Sequence, residues 1–429
     1  MTAVAASPAA VIAAAPSSAL HERGCAALWL KTTLVWLPVT SFLAIPQVQG
    51  TTPANLLILM LLLPLTGPLL LGLRGYADLI ARLMPFLLGL GILFLASRFA
   101  LLSASDGLAG LSLINPRFAL PLTMTANVTQ SIYLVVGLTL FLLVRRHYDR
   151  SWDGAIFSGA WFLLAYGFVD WFAQTFLGFN ADFMANRTFD VGRFEMPGSL
   201  RQNILFAGFP MLRFKSFTGE PSMFALTALC YLALAVVRGR TWLTAALVLA
   251  LLLSFSATAY AGLLVFALVF SGRLRFGQVA PALGLLAAVA SIAVWWDWET
   301  IWRTVDHLFI AKLTAESHSG AARMGSFVRH LQAWWHAPFP LLVGYGFGTA
   351  RSTDLLSSLL VNLGLIGTVC VFLLLGQVLR VAQRERRTIE MVGMATVFGL
   401  MLVAVPEFAY LPPWLLAGIA MRPPEGEAR

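Results

Sequence analysis

A chain of 429 residues that is 59% hydrophobic and only 11% charged, with a mean hydropathy of +0.80, is not a soluble globular protein. The formal net charge of +9 would fit a nucleic-acid partner in a soluble chain; among apolar runs of about 20 residues it measures instead how cations divide between the sides of a membrane. The three cysteines, Cys25, Cys230 and Cys370, lie far apart in or beside apolar runs, so they read as packing residues, with neither a disulfide framework nor a metal site.

In chain order, residues 1–27 read as a cytoplasmic tail whose Ala, Pro and Ser content lacks the basic region of a secretory signal. Apolar runs then predict an all-α, polytopic fold of about 12 transmembrane helices: 28–45, 55–73, 83–103, 122–144, 154–178, 220–237, 241–254, 257–271, 278–295, 355–379, 391–405 and 408–420. Residues 241–271 form one long run with Arg238 and Arg240 at one end and Arg273 and Arg275 at the other. They predict a hairpin of two short helices turning at Ser254 to Thr258. Together, 28–421 form one transmembrane domain, followed by a second cytoplasmic tail at 422–429.

Starting inside and alternating, Arg74, Arg82, Arg145, Arg146, Arg150, Arg238, Arg240, Arg273, Arg275, Arg380, Arg384, Arg386, Arg387 and Arg422 all fall on the cytoplasmic side, as the positive-inside rule requires of an inner-membrane protein. The cytoplasmic loops are short and carry no glycine-rich phosphate loop and no acidic cluster, so neither a nucleotide nor a metal cofactor has a place there.

Two longer segments, 180–219 and 296–354, emerge on the periplasmic face, and both are basic. The first holds Arg187, Arg193, Arg201, Arg213 and Lys215; the second holds Arg303, Lys312, Arg323, Arg329 and Arg351. Guanidinium forks match phosphate oxygens, which points to an anionic ligand; attachment to anionic lipid headgroups is the plainer alternative. Glu220, followed by Pro221 and Ser222, stands where a helix N-terminus favours a carboxylate, and beside Arg213 it is also placed to accept a proton from a sugar hydroxyl. Residues 319–336 predict an amphipathic helix that carries Arg323, Arg329 and His330 close to Trp334 and Trp335, as a sugar-phosphate site or as an interfacial anchor. Gly344 to Gly348 would let backbone approach a ligand closely. Within the membrane, Arg98 and Asp170 are expected to form an ion pair with each other.

Taken together, Arg213 through Ser222, the Ser254 to Tyr260 turn, Ser319-Gly320-Ala321-Ala322-Arg323, the Gly344 to Gly348 turn and Asn362-Leu363-Gly364-Leu365-Ile366-Gly367 resemble the O-antigen polymerase and ligase superfamily (Wzy-like). The closest likeness is to exopolysaccharide repeat-unit polymerases of the xanthan type. The resemblance implies a glycosyltransferase that joins undecaprenyl-pyrophosphate-linked oligosaccharide repeats at the periplasmic face and needs neither nucleotide nor metal. It also implies work beside a chain-length regulator and a flippase in the same membrane lipid. Carried onto this sequence, it makes Arg323 and Arg213 the pyrophosphate ligands, and Glu220 or His330 the group that activates the acceptor. Lys215, Arg329, Arg351, Arg193 and Arg201 then serve as supporting cations. An O-antigen ligase and a lipid-linked oligosaccharide flippase stand as alternatives. Where the ligase branch carries a His-Asn pair, this chain has Thr353-Asp354, which disfavours ligation.

Overall fold

The computed structural model describes residues 24–46, 48, 50–114, 124–191, 194–197, 202–206, 209–270, 318–406 and 408–423, together with 284, 287–288, 291 and 299. Most of the predicted span at 278–295, and the cations Arg193, Arg201, Arg303 and Lys312, lie outside this set.

The chain is mostly helical. In order, its helices are α1 (Gly24–Trp36), α2 (Pro53–Leu59), α3 (Thr66–Ala104), α4 (Met124–His147), α5 (Asp153–Phe176), α6 (Pro221–Val237), α7 (Thr241–Leu253), α8 (Ala257–Phe270), α9 (His318–Trp334), α10 (Pro338–Val343), α11 (Leu355–Arg384), α12 (Thr388–Val403) and α13 (Leu411–Ala420). Within the described residues four helical stretches, in α3, α4, α5 and α11, are long and apolar enough to cross a membrane; the other apolar helices are 10–17 residues long. A lone helix needs about 20 residues to cross. The shorter helices fall below that length.

Two predicted spans are corrected. The run 28–45 is helical only to Trp36, because Pro38 has no N–H to donate and pushes Leu37 out of the helical region. Beyond it the chain runs as buried irregular backbone, and the N–H groups of Thr40 and Ser41 bond Phe217 O at 3.0 and 2.7 Å. Such backbone is tolerated at membrane depth only where protein surrounds it. The run 55–73 is also interrupted. α2 starts on the Thr52 cap with Pro53 in its first turn and ends in a 3-10 turn, Met60–Leu62; the chain restarts at Thr66 and breaks again at Gly72 (φ 76). The hairpin at 241–271 forms as predicted, with Ser254 to Ser256 between α7 and α8. The 180–219 segment adds two antiparallel β-hairpins to the helical architecture, β1 (Thr188–Val191) with β2 (Phe194–Pro197) and β3 (Asn203–Phe206) with β4 (Phe209–Leu212).

α6 is the hub. Residues 221–235 are all buried, which suits a helix apolar on every side, and α7, α8, α12 and α13 pack around it. At the periphery the relation inverts: the apolar stretch of α3 is only 11% buried, and Leu69, Leu73, Leu88, Ile92, Leu95 and Phe99 stand exposed. In water that wall would be an aggregation surface; facing lipid it needs no cover.

The helix ends sort the charges. Arg238, after α6, meets Asp153 at the start of α5 (2.6 Å) and the Tyr148 hydroxyl (2.6 Å); Arg387 donates to Ala420 O at the end of α13 (3.0 Å). Arg82, Arg145, Arg146 and Arg422 line one cavity with the end of α11. Arg82, Arg145, Arg146, Arg238, Arg387 and Arg422 thus share a face, whereas Arg273 and Arg275 lie outside the described residues. α4, α5, α6 and α11 each run from this basic face to an opposite one, where α9 and the two hairpins lie.

Candidate functional site

On that opposite face the sequence approaches α6 through Arg213 to Gly219. Arg213 is three-quarters enclosed by what it holds: Nε donates to Ser254 O (3.2 Å), Nη2 to Phe255 O (2.8 Å) and Nη1 to the Gln202 side chain. It therefore clamps the α7–α8 turn, whose carbonyls lack helical partners. Three of its five N–H donors are engaged. Burial lowers the Arg213 pKa from its ordinary value; the Glu220 carboxylate works against that shift, and the positive charge of Arg323 reinforces it. Glu220 and Arg323 thus both lie within electrostatic reach of Arg213, so cations from the two basic segments meet beside one carboxylate.

Glu220 is the N-cap residue of α6, with Pro221 at the first helical position. Its side chain caps no backbone N–H; it accepts from Ser222 Oγ at 2.5 Å, at the end of the helix where the dipole favours a carboxylate. Arg323 is exposed on α9, and no described residue accepts a hydrogen bond from it.

α9 turns Ser326, His330 and Ala333 into the protein; Arg323, at the start of the same stripe, and Arg329, off it, are exposed. His330 is buried to 1% exposure. Its Nδ1 lies 2.7 Å from Ser326 O, which can only accept, so Nδ1 carries the proton and donates. Nε2 makes no hydrogen bond among the described residues, while the Arg351 backbone carbonyl acts to raise the His330 pKa. Burial lowers the His330 pKa below 6.5, the Asp354 carboxylate acting in the opposite sense. The imidazole is thus neutral at pH 7 with a lone pair on Nε2. Arg323 and His330, seven residues apart, lie on one helix face roughly 10 Å apart along the axis.

Arg351 is exposed at the same edge, its backbone N–H bonded to Ser112 O at 2.8 Å. Arg323, Arg329 and Arg351 therefore present guanidinium groups outward around a buried histidine, with Arg213 and Glu220 on the α6 side.

Other predicted residues go elsewhere. Lys215 is fully buried and is no surface cation: Nζ lies 2.6 Å from Asp182 Oδ2 and 3.4 Å from Asp170 Oδ2, and Tyr166 OH donates to Asp182 Oδ1 at 2.8 Å. This also corrects the expected Arg98–Asp170 pair. Asp170 takes Lys215, whereas Arg98 donates to Tyr345 O (3.2 Å) and lies over the Phe94 ring. Trp334 is tied to Leu341 O (2.9 Å), while Trp335 is 70% exposed. Arg193 and Arg201 lie outside the described residues.

The Gly344 to Gly348 turn is corrected too. It meets protein backbone. α11 breaks at Gly364 (φ 62, ψ −168), and the carbonyls released there, Val361 O and Asn362 O, accept from Tyr345 N (2.8 Å) and Gly346 N (3.0 Å). A Cβ on Gly344 would lie 2.5 Å from the Asn362 carbonyl carbon, and one on Gly364 would lie 2.4 Å from Leu342 O. Glycine is what lets two backbones cross here. The Asn362 side chain locks the crossing: Oδ1 accepts from Thr349 N (2.9 Å) and Ala350 N (3.0 Å), and Nδ2 donates to Ala350 O (2.9 Å).

Sequence reading missed Asp354, which caps α11 by accepting from Ser357 N (2.8 Å) and takes the Ser352 and Ser357 hydroxyls besides. The Asp-x-x-Ser spacing ahead of an apolar run was its signal. Asp182 had none, since its partner lies 33 residues on.

No protein-family model matches this chain, and no curated protein matches it in sequence.

Proposed function

We propose that this chain is a polysaccharide polymerase of the Wzy-like kind, with about twelve membrane crossings. In this reading it joins undecaprenyl-pyrophosphate-linked oligosaccharide repeats at the periplasmic face of a bacterial inner membrane. The observation that carries the reading is the meeting of Arg213 and Arg323, from two segments a hundred residues apart in sequence, beside Glu220 and within two helical turns of a neutral buried histidine.

The chemistry needs these parts. An acceptor sugar hydroxyl attacks the anomeric carbon of the donor. Its proton passes to His330 Nε2, whose lone pair is unoccupied, or to the Glu220 carboxylate. The bond from the anomeric carbon to the pyrophosphate oxygen breaks, and its electron pair leaves with the carrier. Negative charge grows on that oxygen, so preplaced guanidinium groups stabilise the transition state more than the ground state. Arg323, with all five donors disengaged from described residues, is the principal ligand of the leaving group. Arg213, clamped in the turn, contributes fixed charge and two remaining N–H groups. Arg329 and Arg351 extend the basic surface, and Trp335 offers an exposed ring for a sugar face.

A second reading, movement of a lipid-linked glycan across the bilayer, draws support from the interruptions at Gly72 and Gly364, since transporters build sites from broken helices. At Gly364, however, the released carbonyls are taken by Tyr345 and Gly346 and do not face a path. Lipid-linked intermediates from a deletion strain, analysed by mass and by leaflet, separate the two. Single repeats accumulating on the outer leaflet support polymerisation; repeats held on the cytoplasmic leaflet support flipping and refute it.

A further inference from the structure

The face opposite the candidate site holds a feature that polymerisation does not use. A cavity of about 270 Å3 opens where α4, α11 and α13 end beside the middle of α3, with Arg82, Arg145, Arg146 and Arg422 on its wall against one carboxylate, Glu385. We propose that this cavity binds the phosphate of an anionic phospholipid.

The charges are not all balanced from within. Arg82 is paired with Asp78 at 2.8 Å, and Arg422 lies 4.0 Å from Glu390, donates to Ile419 O at 3.1 Å and stacks over Tyr148, so these two are neutralised from within. Glu385 leans toward Arg387 at 3.9 Å. Arg145 and Arg146 have neither a hydrogen bond nor an ion pair with any described residue, yet both line the cavity. Basic side chains in the last turn of α4 do compensate its dipole, but that effect is worth about 0.3–1 kcal/mol and asks for no cavity. Arg145 and Arg146, adjacent in sequence and outside any ion pair with described residues, leave positive charge on a concave surface that an anion would neutralise.

The remaining wall decides which anion. Leu142, Val381 and Met421 complete the lining, so the site offers phosphate-matching forks beside an apolar surface continuous with the helix bundle. A free inorganic phosphate has no use for the apolar part, whereas a phospholipid presents both. Basic pockets between helices at the headgroup level suit anionic lipid.

The test uses the full-length protein purified in neutral detergent, with bound lipid read by native mass spectrometry and melting temperature read alongside. Phosphatidylglycerol is expected to remain bound and to raise the melting temperature. The double variant R145Q/R146Q is expected to bind it at least about tenfold more weakly, the loss of two charge-assisted contacts, with its lipid-free melting temperature unchanged. Should that variant fail to fold, R146Q alone, at an exposed position, carries the same expectation. Equal binding of phosphatidylcholine, or undiminished phosphatidylglycerol binding by the variant, overturns the proposal. A full stabilising effect from inorganic phosphate alone would mark a free-phosphate site and equally overturn it.

Discussion

Individual side chains divide into those whose charge is buried among partners and those whose charge faces outward. Replacing Arg323 by Ala is expected to reduce polymer by about 10²–10³-fold, the usual consequence of removing one donor to a developing oxyanion, while immunoblots show normal protein in the membrane. Undiminished polymer would remove Arg323 from the site. Lys215→Ala is expected to act differently. It leaves Asp170 and Asp182 without their ammonium, a loss of about 3–5 kcal/mol when one member of a buried ion set is removed, read as a lowered melting temperature and a reduced membrane level. His330 adds a pH dependence. Its pKa is depressed below 6.5 by burial, so its folded form binds fewer protons than the unfolded chain just below that pH; the stability it contributes is present above pH 6.5 and is lost as pH falls. If His330 is the base, transfer in reconstituted vesicles loses rate on the acid side at a pH below 6.5, and His330→Gln abolishes that limb while preserving the melting temperature at pH 7.5.

The legibility of these residues in the sequence followed the range of their interactions. Glu220 and Pro221 were readable because capping acts within one turn. Arg213 was readable as a cation near the membrane surface, but its grip on Ser254 O joins residues 41 apart and leaves no local trace. Lys215 read as a surface cation for the same reason, its carboxylates lying in α5 and in the loop after it.

At the scale of elements, apolar runs located the helices well, because burial of continuous apolar sequence sets where a helix lies. They overstated continuity at Pro38, Gly72 and Gly364, whereas α3 continues through Pro85. The Gly364 crossing yields its own expectation. Gly364→Ala places a side chain in a backbone region reserved for glycine, with a further contact at Leu342 O. Asn362→Ala leaves the Thr349 and Ala350 N–H groups without acceptors, at about 1–3 kcal/mol each. Both variants are expected to lower the melting temperature in detergent, whereas Gly376→Ala, in open space on the same helix, leaves it within experimental error. The two β-hairpins were not readable at all: four-residue strands carry too little pattern to separate from loop.

For the whole molecule, the division of arginines between faces was the most informative signal in the sequence, because transfer of charge across a bilayer is the largest local penalty the chain meets. Cysteines introduced at Arg146 and Arg351, with Cys25 and Cys370 replaced, are expected to react with a membrane-impermeant maleimide from opposite sides of sealed vesicles. Labelling of both from one side would refute the arrangement.

The length of α3 carries one more consequence. From Leu73 to Ala104 it extends roughly 47 Å at 1.5 Å per residue, well beyond the about 30 Å of a hydrocarbon core. The stretch after Arg82 alone nearly matches that thickness, which leaves the turns carrying Arg74, Asp78 and Arg82 as a charged stub standing out of the oil. The helix therefore works as a depth gauge: hydrocarbon fixes where its apolar part must stop, and everything attached near Arg82 is held at the waterline.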